Sequence, residues 1–426
     1  MNVWLVKLEE PVPQDSNYRP YRMGMLESAL VARGHRVLRW CSDLNHLTGE
    51  ARYGHSTSVT YTENQCYEFI SSGVTYKSPI SIGRVIDNFL VKLKIKNKAK
   101  SLVAPDLIVC SMPTPALCKL SAQLSSHFSV PLVLDCRDYW PEIIYSEAKG
   151  WKLLAAYMLA FKMRRDLRYA CKQAHSFVGI TDFFTGHLLK YSGRSAGRFD
   201  KVFPLGFSPA SSPDSEADTE TMRAFWAERG VSLAEHEFIF YFAGRLNSTV
   251  YNAIQPVVDA LKMLEQALPK ALFVFCGSGS HATSIQNTFS DSTNVVFPGE
   301  MDSCALGYLR AHSTAALQPV ERRIDYQNSY SNKFFEYLSS GLPIFSWLDG
   351  ISGQKLVSEQ CGFIYNDAEA LTAQIIRFCG DKGLRVEMSR RAKALFNDEF
   401  DAGVVYEGYA KHLEAVYADS KAESYV

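Results

Sequence analysis

The chain has 426 residues, 47 % apolar and 21 % charged, an ordinary soluble globular balance with room for two domains of roughly 200 residues each. Lysine plus arginine and aspartate plus glutamate both total 45, so no overall basic field draws the chain onto nucleic acid, although a local basic patch is still allowed. No run approaches the ~18 apolar residues of a membrane span, and the N-terminal MNVWLVKLEEP is too short in its apolar part for a signal peptide, so a cytoplasmic location is expected.

In chain order, VWLV (3–6) reads as a first buried strand, followed by a proline-rich polar loop (11–24). A helix follows, with Met25, Leu26, Ala29 and Leu30 at helical spacing and Gly34 at its C-terminal stop. DLIVCS (106–111), PLVLDCRD (131–138), SFVGIT (176–181) and KVFPLGF (201–207) read as further strands, with a helix over 114–128. This alternation predicts an α/β fold with an open parallel sheet and helices on both faces. Residues 208–237 are polar and acidic at first and read as a linker carrying a surface helix. A second alternating block follows: FIFYFAG, a helix over 252–268, ALFVFCG, NVVFPG, TAALQPV and LPIFSW. Two doubly wound, Rossmann-like domains are therefore expected, 1–207 and 238–402, with a ligand cleft at the carboxyl ends of the strands. The amphipathic helix in 403–426 is expected to pack back on the first domain. Ten cysteines stand singly, without a C-x-x-C pair or zinc spacing, and read as buried free thiols in a reducing cytosol.

Four stretches carry candidate chemistry. In SYSNKFFEYLSSGLPIF (329–345), Ser331 is a natural N-cap and Gly341 a natural stop. Lys333 stands in the first turn, where the helix dipole disfavours a cation, and Asn332 shares a face with Glu336. A lysine there suits a phosphate beside the free N–H groups, with Glu336 a turn further in to accept from sugar hydroxyls; a solvated surface pair is the alternative. In FAGRLN, Arg245 follows a strand end at Gly244, where a guanidinium fork suits a diphosphate or an interdomain salt bridge. DCRDYWPE (135–142) crowds Asp135, Arg137, Asp138 and Glu142 at another strand end. They read either as groups poised for a polyhydroxyl ligand or as a charged loop with Arg137 paired to Asp135 or Asp138. Arg19 and Arg22 lie after the first strand, near a helix N-terminus, on the side where a ligand would sit. The GSGS turn (277–280) gives backbone room near a ligand, and His35, His175 and His187 read as packing or surface residues. No G-x-G-x-x-G, Walker lysine, G-x-S-x-G, H-E-x-x-H or D-x-D is present, which argues against dinucleotide, P-loop, serine-hydrolase, zincin and aspartate-bound-metal chemistry.

Taken together these pieces resemble the family-4 retaining glycosyltransferases of the GT-B fold, particularly the bacterial enzymes of surface-polysaccharide assembly. SNKFFEYLSSGLPIF is very close to the family's S-K-x-x-E-Y-x-x-x-G-x-P element. FAGRL, FCGSGS, VVFPGE, DCRDYWPE and ALVARGHRV match other elements in order and spacing. The resemblance implies a nucleotide-diphosphate sugar donor, a glycan or polyprenyl-linked acceptor, and no metal or other cofactor. It implies that Glu336 holds the nucleotide ribose and that Ser331, Asn332 and Lys333 offer N–H groups to the diphosphate beside Gly244. Arg245 would neutralise the departing phosphate, Glu300 and Met301 would lie along the base, and Asp138 would face sugar and acceptor. Arg19, Arg22 and Arg137 are the expected acceptor-side cations. Two positions depart from the pattern: Asn328 stands where a first glutamate is common, and no lysine follows Arg245 at the usual distance.

The expected reaction is sugar transfer with retention. A non-hydrolysing sugar-nucleotide epimerase and a non-catalytic sugar-nucleotide or glycan-binding protein are the rival readings. Two basic segments, VKLKIKNKAK (91–100) and WKLLAAYMLAFKMRRDLRYACK (151–172), read either as faces for an anionic membrane or as solvated and internally packed surfaces.

Overall fold

The computed structural model describes residues 1–16, 18–46, 48–74, 82–144, 152–209 and 216–423. The chain divides into two compact units, one of Met1–Pro204 with Val405–Val426 and one of Leu205–Val404. The first unit holds strands β1 (Asn2–Val6), β2 (Arg36–Ser42), β3 (Thr57–Thr62), β4 (Gln65–Ile70), β5 (Leu107–Ser111), β6 (Leu132–Cys136), β7 (Ser176–Gly179) and β8 (Lys201–Val202). They lie in the order β3-β4-β2-β1-β5-β6-β7-β8, all pairs parallel except β3 with β4. Every residue of β5 and β6 is buried, as a strand covered on both faces requires.

The β3–β4 hairpin has no counterpart in the sequence reading. TSVTYT is mostly exposed and has no apolar run; its signal is only the β-branched and aromatic content of an edge strand.

The second unit is a six-stranded parallel sheet of β9 (Phe238–Ala243), β10 (Ala271–Cys276), β11 (Val295–Gly299), β12 (Ala315–Gln318), β13 (Ile344–Ser346) and β14 (Gly362–Ile364). Its order is β11-β10-β9-β12-β13-β14. Because side chains alternate along a strand, one sheet serves two cores. Phe240 and Phe242 pack in one layer with Phe273 and Phe275, while Ile239 and Tyr241 pack in the other with Leu272 and Val274. Each fully buried large side chain of this kind contributes roughly 1.5–3 kcal/mol.

One boundary expectation needs correction, and the expected return of the last helix to the first unit is observed. Residues 208–237 are not simply a linker with a surface helix. The Glu216–Ala227 helix places Trp226, 1 % exposed, in the core of the second unit, where its Nε1 donates to the Ala305 carbonyl at 3.2 Å. The last helix, Ala402–Glu423, joins the first unit from Val405 onward. Its Glu414 takes a bidentate pair from Arg33 at 2.9 and 2.7 Å, and its Tyr409 stacks on Phe203.

All ten cysteines are free thiols. Eight are buried, but Cys66 is half-buried and Cys304 is exposed, because each sits outside the apolar face of its element.

Candidate functional site

In the second unit the chain runs outward from β9 to β10 and β11, then returns to β12 and proceeds the other way. The carboxyl ends of β9 and β12 therefore flank the switch point, the place where open α/β sheets bind their ligands. Gly244 and Arg245 follow β9 directly. Arg245 is exposed, and no partner for it is found among the described residues.

The helix Asn332–Ser339 is fixed beside this point by its own sequence. Phe334, Phe335, Tyr337 and Leu338 are buried, with both phenylalanines against Phe400. Tyr337 is anchored to the strand, its hydroxyl oxygen accepting from the Ala243 N–H at 3.2 Å. Ser331 caps the helix by accepting from the Phe334 N–H at 3.3 Å. Gln318, at the end of β12, donates to the Ser331 hydroxyl at 3.4 Å and accepts from Ser346 at 3.0 Å. The helix N-terminus is thus tied to two strands, and Gln318 and Tyr337 are the positioning residues that the sequence reading missed. Their signal was weak: a polar residue ending an apolar strand, and a tyrosine on the buried face of a helix.

Lys333 is half-buried, and its side chain crosses the end of β9. Its Nζ lies 5.7 Å from the Phe242 ring centroid, and a Cβ on Gly244 would collide with its Cε. Gly244 has φ 157°, in the region that favours glycine, and a side chain there would also have to push the Lys333 chain aside. Burial pushes the Lys333 pKa down, with the Glu336 charge pulling the other way. Its ammonium makes no hydrogen bond or ion pair among the described residues, and the backbone N–H groups of Asn332 and Lys333 are likewise unclaimed. A desolvated cation beside unclaimed donors at a helix N-terminus has the chemistry of an anion site. Asn332 is exposed.

Glu336 is not a purely solvated carboxylate. It lies 3.9 Å from the Nη1 of Arg310, which the Ser303–His312 helix supplies from a position only 8 % exposed. Asn328 ends the short helix Ile324–Gln327, and its Nδ2 donates back to the Ile324 carbonyl at 2.7 Å. Glu300, exposed after β11, accepts from the Ser278 hydroxyl at 2.7 Å, and Met301 packs against the core.

The GSGS turn packs closely against the loop after β9. A Cβ on Gly277 would collide with the Gly244 carbonyl oxygen, and one on Gly279 would lie 2.5 Å from that of Leu246. Gly277 has a φ of 137°, and its N–H donates to the Gly299 carbonyl at 2.7 Å. The glycines make room for the neighbouring Gly244–Leu246 loop, holding it to the turn after β10.

In the first unit the switch point is at β1 and β5, with Lys7, Glu9 and Glu10 following β1 and Arg137 and Asp138 following the nearby β6. Here Arg22 overturns its expected role. Its guanidinium binds Asp135 bidentately, Nε to Oδ2 at 2.8 Å and Nη2 to Oδ1 at 2.9 Å, and donates to the Pro204 carbonyl at 2.9 Å. Both side chains are fully buried, so Arg22 is a core ion pair and not an acceptor-side contact. Of the two alternative pairings expected for Arg137, the one with Asp138 is present and the one with Asp135, which Arg22 occupies, is not. Arg137 donates to Glu10 Oε1 at 2.9 Å and lies 3.8 Å from Asp138. Glu10, 1 % exposed, also accepts from the Met23 N–H at 2.9 Å, so one carboxylate orients Arg137 and caps the Arg22–Ala32 helix. Lys7 pairs with Glu9 at 2.6 Å. Asp138 is 43 % exposed, yet desolvation pushes its pKa up, against the pull of Arg137 and Lys7. Arg19 is exposed on the loop after β1. His187 is buried beside Tyr139 and Tyr191, facing the Trp140 carbonyl at 3.0 Å. Among the described residues no group of three or more His, Cys, Asp or Glu side chains is placed to hold a metal ion.

Residues 237–381, most of the second unit, match the family described as glycosyl transferases group 1. No curated protein matches the sequence. Among solved structures the chain is similar to Anabaena HepE in complex with UDP, at 16 % identity over 97 % of this chain and 99 % of that one, with a TM-score of 0.62. It is similar to WaaG, a glycosyltransferase involved in lipopolysaccharide biosynthesis, at 16 % identity over 96 % and 99 % of the two chains and a TM-score of 0.62. A putative UDP-N-acetylglucosamine 2-epimerase from Listeria monocytogenes also aligns, at 9 % identity over 98 % and 97 %, with a TM-score of 0.54. These likenesses establish the GT-B fold over nearly the whole chain. The second unit carries a glycosyl transferase domain of group 1.

Proposed function

We propose that the chain is a retaining glycosyltransferase of the family-4 kind. It would move a sugar from a nucleotide diphosphate to a hydroxyl of a glycan or polyprenyl-linked glycan, on the cytoplasmic side, in surface-polysaccharide assembly such as O-antigen or capsule. One observation carries the reading: the desolvated Lys333 ammonium over Gly244, without a hydrogen bond or ion pair among the described residues, at the β9–β12 switch point of the unit that matches the glycosyl transferases.

In this reading the diphosphate lies on the N-terminus of the Asn332–Ser339 helix, between Lys333 and Arg245. The bond from the anomeric carbon to the phosphate oxygen breaks as the acceptor oxygen bonds to the same face of that carbon. The acceptor proton passes to the leaving phosphate, so no protein nucleophile is required. Lys333, Arg245 and the helix N–H groups stabilise the charge that develops on the leaving group. Glu336, braced by Arg310, accepts from ribose hydroxyls, and Glu300 and Met301 flank the base. Asp138, with Arg137 held by Glu10, meets sugar and acceptor. The scheme calls for no metal.

The test is a thermal-shift screen against UDP, GDP, dTDP, CMP and ADP, with Arg245→Ala and Glu336→Ala alongside. A shift with one diphosphate, lost in both variants, is expected, and transfer rates in both should fall roughly a hundredfold or more. Near-normal turnover in both variants would overturn the site. Conversion of the donor sugar without any acceptor would replace transfer by epimerisation, and binding without turnover would leave a sugar-nucleotide-binding protein.

A further inference from the structure

The two basic segments of the first unit differ from solvated surface helices in what they leave uncovered. Of the twenty large apolar side chains exposed among the described residues, nine lie on just two helices, Ile82–Ala99 and Lys152–Gln173. Both helices pack against the helix Pro115–Phe128. On the second of them Leu154, Tyr157, Met158 and Phe161 recur at helical spacing as one exposed apolar stripe. Leu154, Met158 and Phe161 are each 71 % exposed.

Arg165, Arg168 and Lys172 continue the same face, all exposed, with Tyr169 among them. The only acidic residue of this helix, Asp166, is buried and paired with Lys119 at 2.7 Å, so it does not offset the exposed bases. The other helix repeats the polarity. Ile86, Phe89 and Leu93 are exposed in its first part, and lysines crowd its second, with Lys96 exposed and Asp87 buried.

An apolar stripe of this size opens to water only at a cost, and such patches mark surfaces that become covered. A helix with aromatic and aliphatic side chains at one end of its exposed face and arginine and lysine at the other suits an interface that is apolar in depth and anionic at its edge. Among the described residues no helix is long and apolar enough to cross a membrane. We infer that this face of the first unit docks on an anionic lipid bilayer, with Leu154, Tyr157, Met158, Phe161 and Phe89 entering the headgroup–acyl boundary and Arg165, Arg168, Lys172 and Lys96 meeting lipid phosphates. The inference deepens the proposed function by naming the surface on which a polyprenyl-linked acceptor would be met, and its observations do not depend on the donor site.

The experiment is flotation of the full chain with vesicles of phosphatidylglycerol and phosphatidylcholine, against vesicles of phosphatidylcholine alone. Two variants accompany it, Met158→Asp/Phe161→Asp and Arg165→Glu/Arg168→Glu, all at exposed positions. Wild type should float with the anionic vesicles and not with the neutral ones, and each double variant should lose about tenfold or more of that partitioning. Nucleotide thermal shifts measured on the same samples should be unchanged, which separates a lost surface from a lost fold or donor site. No flotation of the wild type, or equal flotation of either variant, would overturn the inference. So would a concentration-dependent dimer that Met158→Asp/Phe161→Asp dissociates, since the stripe would then be covered by a second copy of the chain.

Discussion

Replacing Lys333 by methionine separates a ligand-binding lysine from a structural one. Methionine keeps an apolar stem over the Phe242 ring and removes the ammonium. In the free protein that ammonium has no hydrogen-bonding partner among the described residues, and burial already works against its charge. Its loss therefore breaks no ion pair, and the melting temperature should stay level or rise. With a diphosphate bound, the same group supplies a charge-assisted hydrogen bond of about 1.5–3 kcal/mol. Affinity should then fall roughly ten- to hundredfold. Scanning fluorimetry of the free variant gives the first quantity, and calorimetric titration with the diphosphate that shifts the wild type gives the second. A melting point several degrees lower with an unchanged Kd would refute the reasoning and make Lys333 a tether between its helix and β9.

Other expectations come from the same geometry. Gly244→Ala should lower the melting point modestly, because φ 157° strains any side chain there although its methyl meets only the flexible end of Lys333, and it should weaken diphosphate binding as Lys333→Met does. Gly277→Ala, whose methyl meets the Gly244 backbone, should lower both stability and binding; equal melting points for the two alanine variants would contradict this. Arg22→Met strands a buried Asp135 carboxylate at a cost of about 3–5 kcal/mol. Its melting point should fall by roughly 10 °C, while the nucleotide-induced shift persists; a loss of acceptor affinity without destabilisation would restore Arg22 to the acceptor site. Diphosphate affinity should fall as pH rises through the lowered pKa of Lys333. The free protein gives up that proton at lower pH than the anion-bound form, so binding takes up a proton between the two values and is flat below both. Calorimetry in buffers of different ionisation enthalpy measures the uptake, and proton release on binding would contradict it.

The second unit was readable because its signals are local. Runs such as FIFYFA and ALFVFC are short, apolar and bounded by glycine, so their strand character follows from composition alone. The cap at Ser331, the left-handed stop at Gly341 with φ 68°, and the apolar face of the intervening helix lie within a dozen residues of one another. The misplacement of Lys333 against its helix dipole was visible for the same reason. Arg22 was misread because its partner, Asp135, lies 113 residues away and nothing local announces it. Trp226 is similar: a polar neighbourhood suggests linker, while a distant helix supplies the covering surface. The basic segments were ambiguous in sequence, since lysine spacing does not tell an internal face from an open one.

Sequence by itself determined the alternation of strands and helices, the two-domain α/β architecture, and the helix that presents Asn332, Lys333 and Glu336, because periodicity and capping act over a few residues. Only the tertiary structure decided which charges are spent inside the protein and which remain unpaired. Arg22 is neutralised by Asp135 and Arg137 is oriented by Glu10, whereas Lys333 lies over Gly244 without a hydrogen bond or ion pair among the described residues and Phe161 stands in the open. The free energy of a charge or an apolar surface depends on what lies within a few ångströms of it, and the folding of distant segments sets those neighbours.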